Sequence, residues 1–373
     1  MALSVLIIGA GVIGASLAGE LAGRGVTVTV IDAAQAGSGT SAATFGWVNS
    51  NGKSPAAYSR LNLLGLQAHE RAAGSAGGAP WFHQIGNVEL ARTDAELAAI
   101  EDKVARLSAE TYEATLLTAA EIRRLEPSLN TSRLAGGALY PREGWIDAIT
   151  MCTALLASAG HRGAAFRPFE KVERIDGDSV TTMSADGSVN RYEADLIVLA
   201  AGNGTRQILA GAGIDFPIVD TAAGGTRQMP SVGLISTSSP VRSGPRHVIN
   251  AEGIAMRPAR NGGITFTDLP TAGRWDPADP GIWTVPGTLL DRARELYPAL
   301  DAMTQTVDLG LRVLPEDGLT ISDWVTESVY AIATHSGVTL AAHLADVVAT
   351  ELLTGRRDDS LHDFGLARFA NAR

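Results

Sequence analysis

The sequence predicts an α/β protein built around a Rossmann-like nucleotide-binding unit. Three observations carry that prediction. An apolar run, Leu3 to Gly9, leads straight into Gly9-x-Gly11-x-x-Gly14. A β-branched run, "VTVTVI" at Val26 to Ile31, ends on Asp32. Two further apolar runs, "ADLIVLAAG" at Ala194 to Gly202 and "VYAIATHSG" at Val329 to Gly337, also close on glycine. Short continuous apolar runs of this kind suit central parallel strands covered on both faces.

Taken in order, Leu3–Gly9 reads as a strand. A helix follows from about Gly11 to Ala22 and is ended by Gly23 and Gly25. Val26–Ile31 is the second strand, completing one βαβ unit. Asp32 stands about 20 residues beyond the glycines, where a carboxylate accepts hydrogen bonds from ribose hydroxyls and repels a 2′-phosphate. Gly37 to Lys53, "GSGTSAATFGWVNSNGK", is small and polar and reads as a loop. Pro55 to Asn130 reads as helical. Two Thr-x-x-Glu capping boxes, at Thr93 and Thr118, support that reading. Behind the first, Leu97, Ile100, Val104 and Leu107 share one helical face. Asp147 caps a further helix to Gly160. Phe216 to Val313 mixes strands with Pro- and Gly-rich turns, as a separate sheet layer would. A final helix runs from about Val338 to Leu353 and is closed by Gly355. Nucleotide-fold segments at the start, middle and end require a second domain interleaved with the first.

The chain has 373 residues, 45% of them hydrophobic and 19% charged, enough for two domains with a sizeable core. Its net charge of −10 argues against a nucleic-acid partner or an anionic membrane surface. The single cysteine, Cys152, excludes an internal disulfide and a thiolate metal cluster. Leu3–Ala10 is too short to span a membrane and lacks a basic leader, so a cytoplasmic protein with no membrane span is expected. His69, His83 and His161 have no partners at metal-ligand spacing and read as surface or satisfied residues.

The glycine motif places a dinucleotide pyrophosphate at a helix amino terminus, where free N–H groups and the helix dipole favour an anion. Alone it does not separate NAD from FAD. The hydroxyls of Thr40 and Ser41 either reach the pyrophosphate from its other side or belong to a solvated linker.

Several segments in order resemble the FAD-dependent amino acid and amine oxidoreductases that include D-amino acid oxidase, glycine oxidase and monomeric sarcosine oxidase. They are "GAGVIGASLAGELAGRGVTVTVID", "GSGTSAATFG", "LEPSL", "GGALYPREGWIDA", "ADLIVLAAG", "LGLRVLPEDGLTI" and "VYAIATHSGVTLAAHLADVVATELLTG". The resemblance covers nearly the whole chain. It implies a Rossmann-like FAD-binding domain (1–50, 145–212 and 315–373) interleaved with an α+β substrate domain (51–144 and 213–314) containing a mainly antiparallel sheet. FAD would be held by Gly9, Gly11, Ile13, Gly14, Asp32, Thr40 and Ser41. The backbone at Val172 would meet the adenine, and Gly202 would lie at the pyrophosphate. Gly337, Val338 and Thr339 would lie against the flavin at a helix amino terminus, whose dipole stabilises the anionic reduced ring.

The implied chemistry is oxidation of a carbon–nitrogen bond by hydride transfer to flavin, giving an imine that hydrolyses. Arg312 matches an arginine that pairs with the substrate carboxylate through two parallel hydrogen bonds; its other reading is a salt bridge to Glu316 or Asp317. The family proline after it is Val313 here. His335 either lines the pocket or hydrogen-bonds at a strand end. Trp47 and Asn49 either lie on the flavin or over the substrate, or pack. Tyr58, Trp145, Met256 and Phe266 read as core, with an apolar pocket wall as the other possibility.

Two departures stand out. The cysteine that attaches flavin covalently in the sarcosine oxidase branch is matched by Leu309, so FAD should be noncovalent. The lysine thought there to assist oxygen is matched by Thr265. The expected partners are a small amine or amino acid and O2 or another acceptor. An oxidase and a dehydrogenase therefore both stand, with a flavin monooxygenase and a non-catalytic flavoprotein component of a larger complex as remoter readings.

Overall fold

The computed structural model describes residues 3–75, 77–221, 231–273, 275–301 and 303–370. Its first body is a six-stranded sheet. The strand order is Ile321–Trp324, Val329–Ala333, Leu196–Leu199, Ser4–Ile8, Thr27–Ile31 and Ala165–Arg167. All neighbours are parallel except the edge strand Ile321–Trp324, which runs antiparallel to Val329–Ala333. Alternate residues of the opening strand serve opposite faces, as the pleat dictates. Val5 and Ile7 join the core beneath the helices Val12–Gly23, Ala56–Ala73, Ala148–His161 and Gly337–Thr354. Leu6 and Ile8 face a second core that includes Ile175 and Val180 of a three-stranded antiparallel sheet, Glu170–Asp176, Ser179–Ser184 and Val189–Glu193.

The second body is an eight-stranded sheet. Its order is Thr304–Leu311, Val232–Ser238, Ile264–Thr267, Ile254–Pro258, Val248–Ala251, Asn87–Ala91, Gly136–Tyr140 and Thr115–Leu117. Only the pair Val248–Ala251 and Asn87–Ala91 is parallel. The helix Val285–Leu296 closes its core with Leu289, Ala293 and Leu296. A small sheet of Trp47–Val48, Gly144–Ile146 and Phe82–His83 completes the architecture.

The helical reading of 55–130 needs correction. Helices Ala56–Ala73, Asp94–Ala109 and Ala119–Leu125 alternate there with strands Phe82–His83, Asn87–Ala91 and Thr115–Leu117. The segment 51–144, expected in the substrate domain, also divides. Its first helix packs beneath the six-stranded sheet through Leu61 and Leu66, while its later strands join the eight-stranded sheet. The loop expected over 37–53 contains the two-residue strand Trp47–Val48. Both threonine caps are present. Thr118 forms a reciprocal box with Glu121. Thr93 accepts from Glu96 N, but Glu96 Oε2 accepts from Arg92 N instead of returning to Thr93. The apolar face behind it buries Ile100, Val104 and Leu107 and leaves Leu97 half-buried. By length and apolarity Gly337–Thr354 could cross a membrane. Here it packs against Val12–Gly23 and Ala56–Ala73 with most of its length buried.

Candidate active site

One cavity of about 1210 Å³ runs between the two bodies. It exceeds the roughly 300–1,000 Å³ of an ordinary small-molecule pocket, leaving room for a dinucleotide and a further ligand. Of the residues expected to hold cofactor, Gly9, Gly11, Ile13, Asp32, Thr40, Ser41, Val172, Gly202, Gly337, Val338 and Thr339 line it. So do Arg312, His335, Trp47 and Asn49. Gly14 does not line the cavity: a Cβ there would strike the Gly9 carbonyl, so this glycine lets the helix pack on the turn. Gly9 has φ +109°, and a Cβ on it would strike the Ala200 carbonyl. The opening turn is therefore pressed against the end of the neighbouring strand.

The surroundings of the glycine turn are built largely from backbone. The opening helix begins at Val12 with Gly11 as its cap, which has no side chain to offer. Val12 N donates to Ser41 Oγ at 3.2 Å, while Thr40 Oγ1 donates to the Leu311 carbonyl at 2.8 Å. Asp32 accepts from Ala10 N at 2.7 Å and Ala34 N at 2.8 Å, one on each oxygen. A carboxylate has about four acceptor positions, so capacity remains for a ribose hydroxyl. Burial raises the Asp32 pKa against the pull of those two bonds. Asn203 Oδ1, on the cavity wall, is buried without a hydrogen-bond partner among the described residues. A glycine turn, an acid at the second strand end and an orphaned acceptor together fit FAD.

Beside the opening helix, Gly337–Thr354 presents its first turn to the cavity, with Gly337, Val338 and Thr339 on the lining and Gly337 against Val12 and Ile13. Arg312 follows the strand Thr304–Leu311 and fixes its backbone by donating N–H to Ser231 O at 2.8 Å. Its Nε donates to His335 Nδ1 at 3.1 Å. Burial pushes the guanidinium down to about 10, which leaves it charged at neutral pH. Asp317, one of the acids considered for Arg312, instead pairs with Arg368 at 2.6 Å. His335 is held well below its ordinary pKa by burial and by the charges of Arg312 and Lys53. It is therefore neutral, with Nδ1 accepting and the proton on Nε2.

Trp47 is half-buried and its Nε1 donates to Glu143 Oε2 at 2.9 Å. Tyr112 OH donates to Glu143 Oε1 at 2.6 Å. Burial pushes this carboxyl up to about 8. Glu143, Tyr112 and the cavity lysine Lys53 escape a reading of the sequence. Lys53 closes a polar loop, and Glu143 lies inside the segment "GGALYPREGWIDA"; neither carries a local signal of its use.

Tyr58, Trp145, Met256 and Phe266 are buried in the core, and none of the four lines the cavity. Leu309 packs on the core of the eight-stranded body. Thr265 is buried beside Thr237, Oγ1 to Oγ1 3.4 Å. Cys152 is buried, its sulfur beside Gly37, and burial raises its pKa to about 12. His69 is buried and bonded to the Val338 carbonyl at 2.9 Å. His83 stacks on Trp145 with ring centroids 4.1 Å apart. His161 is exposed.

Comparison with known proteins agrees with this architecture. The chain is 28% identical over 389 residues to one of the subunits of the opine oxidase of Agrobacterium tumefaciens (strain Ach5), covering 97% of this chain and 96% of that protein. It is 26% identical over 220 residues to the mitochondrial dimethylglycine dehydrogenase of Mus musculus, covering 57% of this chain and 25% of that one. The crystal structure of glycine oxidase from Geobacillus kaustophilus superposes with a TM-score of 0.81 at 22% identity, covering 98% of each chain. The family model described as FAD dependent oxidoreductase matches residues 4–351, and the chain belongs to that DAO family of FAD-dependent oxidoreductases.

Proposed function

We propose that this enzyme oxidises the carbon–nitrogen bond of an amino acid, or of a secondary or tertiary amine, that carries a carboxylate near the nitrogen, with oxygen as the final acceptor. The observation that carries the reading is Arg312: a charged guanidinium on the cavity wall, oriented by His335 and sharing the cavity with the first turn of Gly337–Thr354. FAD, when bound, would supply the acceptor for the hydride equivalent from the C–H beside the nitrogen, and the resulting imine would hydrolyse. Arg312 grips the substrate carboxylate through parallel N–H bonds and so fixes the orientation of that C–H. Neutral His335 keeps Arg312 in position and offers Nε2–H to the cavity. Trp47, held by Glu143, walls the site and limits water entry.

The names of relatives, an opine oxidase and a dimethylglycine dehydrogenase, support an amine or amino acid substrate. Gly9, Gly11, Ile13, Asp32, Thr40, Ser41, Val172, Gly202 and the Gly337–Thr339 turn would hold FAD, with Gly14 supporting the turn from behind. The six-stranded body forms the FAD-binding domain and the eight-stranded body the substrate domain. Binding is noncovalent: Leu309 cannot form a thioether, and Cys152 is a buried neutral thiol. Denaturation in acid should release the flavin into the supernatant; flavin retained in the pellet would contradict this. A cytoplasmic location suits a chain whose one cysteine is free and buried.

A dehydrogenase with another acceptor is the second reading, because the nearest match to the oxygen-assisting lysine of the resembling sarcosine oxidase branch is Thr265, a buried neutral hydroxyl. Oxygen uptake during turnover separates the two. For the main reading, the holoenzyme is mixed anaerobically with D- and L-amino acids, N-methyl amino acids and cyclic imino acids, and flavin absorbance is followed. Only carboxylate-bearing amines should bleach it. Arg312→Ala should weaken bleaching by about 100-fold or more. A substrate indifferent to that change would refute the assignment.

A further inference from the structure

Lys53 is unused by the chemistry above, yet it lines the same cavity as Arg312. Among the described residues its ammonium makes no hydrogen bond or ion pair. Arg312 is close enough to repel it, and Glu143 attracts it. Glu143 does not neutralise it fully, because its oxygens already accept from Tyr112 and Trp47 and burial drives it toward the protonated form. His335 supplies no negative charge. The acids that line the cavity are engaged elsewhere. Asp32 accepts from Ala10 and Ala34, Glu170 from Thr182 and Tyr192, and Asp268 from Thr271. Glu173 pairs with Lys171. Lys53 thus brings a second cation to the cavity that Arg312 lines, and a carboxylate held on Arg312 would leave Lys53 uncompensated.

We propose that Lys53 is a second anion site and that the preferred substrate is a dicarboxylate amine, with one carboxylate-bearing arm on Arg312 and the other on Lys53. This rests on the reading of Arg312 as a carboxylate anchor. The flexible lysine stem adapts to arms of different length, whereas the planar guanidinium fixes the arm next to the reacting carbon. Charge-assisted bonds in a water-poor site are strong enough for the second carboxylate to raise affinity by about tenfold or more.

The test uses the holoenzyme and two ligands without a C–N bond: diglycolate, an ether with two carboxylates, and methoxyacetate, its one-armed counterpart. Binding is measured by calorimetry and by the flavin spectrum. Diglycolate should bind about tenfold or more tighter. Since burial lowers Lys53 to about 8, that preference should decline as pH rises through this value. Lys53→Met should collapse the ratio of the two affinities to within about twofold, and Lys53→Arg should restore it. Flavin content checks that each variant folds. Equal affinities in the unmodified protein, or a ratio that survives in Lys53→Met, overturn the inference. Anaerobic flavin reduction then separates the two levels. Reduction by N-methylglycine but not iminodiacetate overturns this inference alone. A flavin that no amine or amino acid reduces overturns the amine-oxidation reading, and this inference with it.

Discussion

Arg312 and His335 act as a unit because the bond between them decides where the imidazole proton sits. An arginine Nε–H can only donate, so His335 Nδ1 must accept and the ring must stay neutral. Protonation would set two donors against each other. With its folded pKa depressed, His335 contributes stability that is full above its ordinary value near 6.5 and is lost as pH falls. The acid limb of the kcat/KM profile should therefore show no ionisation near 6.5 and should fall in stronger acid; a transition centred on 6.5 would contradict the assignment. His335→Gln can still accept from Arg312 and should keep kcat/KM within a few-fold, while His335→Leu strands the Nε–H and should lower it about tenfold or more. Both residues line the cavity; the sequence points to them through the family resemblance of "LGLRVLPEDGLTI" and "VYAIATHSGVTLAAHLADVVATELLTG", with a salt bridge and a strand-end hydrogen bond as their other readings. Lys53, Tyr112 and Glu143 were not legible: the hydrogen bonds from Trp47 and Tyr112 to Glu143, and the cavity shared by Lys53 and Arg312, exist only after distant segments meet.

At the level of elements, the three apolar strands of the nucleotide fold were readable because burial on both faces writes a continuous apolar run. Asn87–Ala91 was not. Its "NVELA" has little β-branched character, and its strand identity comes from pairing with Gly136–Tyr140 and Val248–Ala251, far away in sequence. The cavity also depends on helix packing that no motif reveals. Gly65, in Ala56–Ala73, lies so close to the closing helix that a Cβ would strike the Thr339 carbonyl. One turn on, His69 binds the Val338 carbonyl. Both contacts set the position of the first turn of Gly337–Thr354. Gly65→Ala should therefore force the helices apart at a cost of about 1–3 kcal/mol, outweighing the gain from better helix propensity, about 1 kcal/mol. Thermal melts and flavin retention on a desalting column should both fall. A variant with higher Tm and full flavin content would show that the contact has room to relax.

Across the whole molecule, the cavity joins pieces separated by most of the chain: the turn at Gly9–Ile13, Asp32, the Thr40–Ser41 loop, Gly202, Arg312 and Gly337–Thr339. A ligand filling it touches both bodies, so cofactor binding and global stability should be linked. The proposed function sets the ADP half against Asp32 and Val172 and the flavin half against the Gly337–Thr339 turn and Arg312, all of which line this cavity. The flavin-stripped protein tests this division. FAD at about 100 times its Kd should add about 2.7 kcal/mol. ADP should raise Tm by a smaller amount, and FMN, lacking the ADP half, should do least. Asp32→Asn should remove the ADP effect and most of the FAD effect. It should also destabilise the flavin-free chain by about 1–3 kcal/mol, because an amide cannot accept from both Ala10 and Ala34. The rise with each ligand must therefore be read against each variant's own unliganded melt. If FMN stabilised as well as FAD did, or if ADP still stabilised Asp32→Asn, the carboxylate at the second strand end would not be the ribose contact, and this division of the cofactor between the two groups of residues would fall with it.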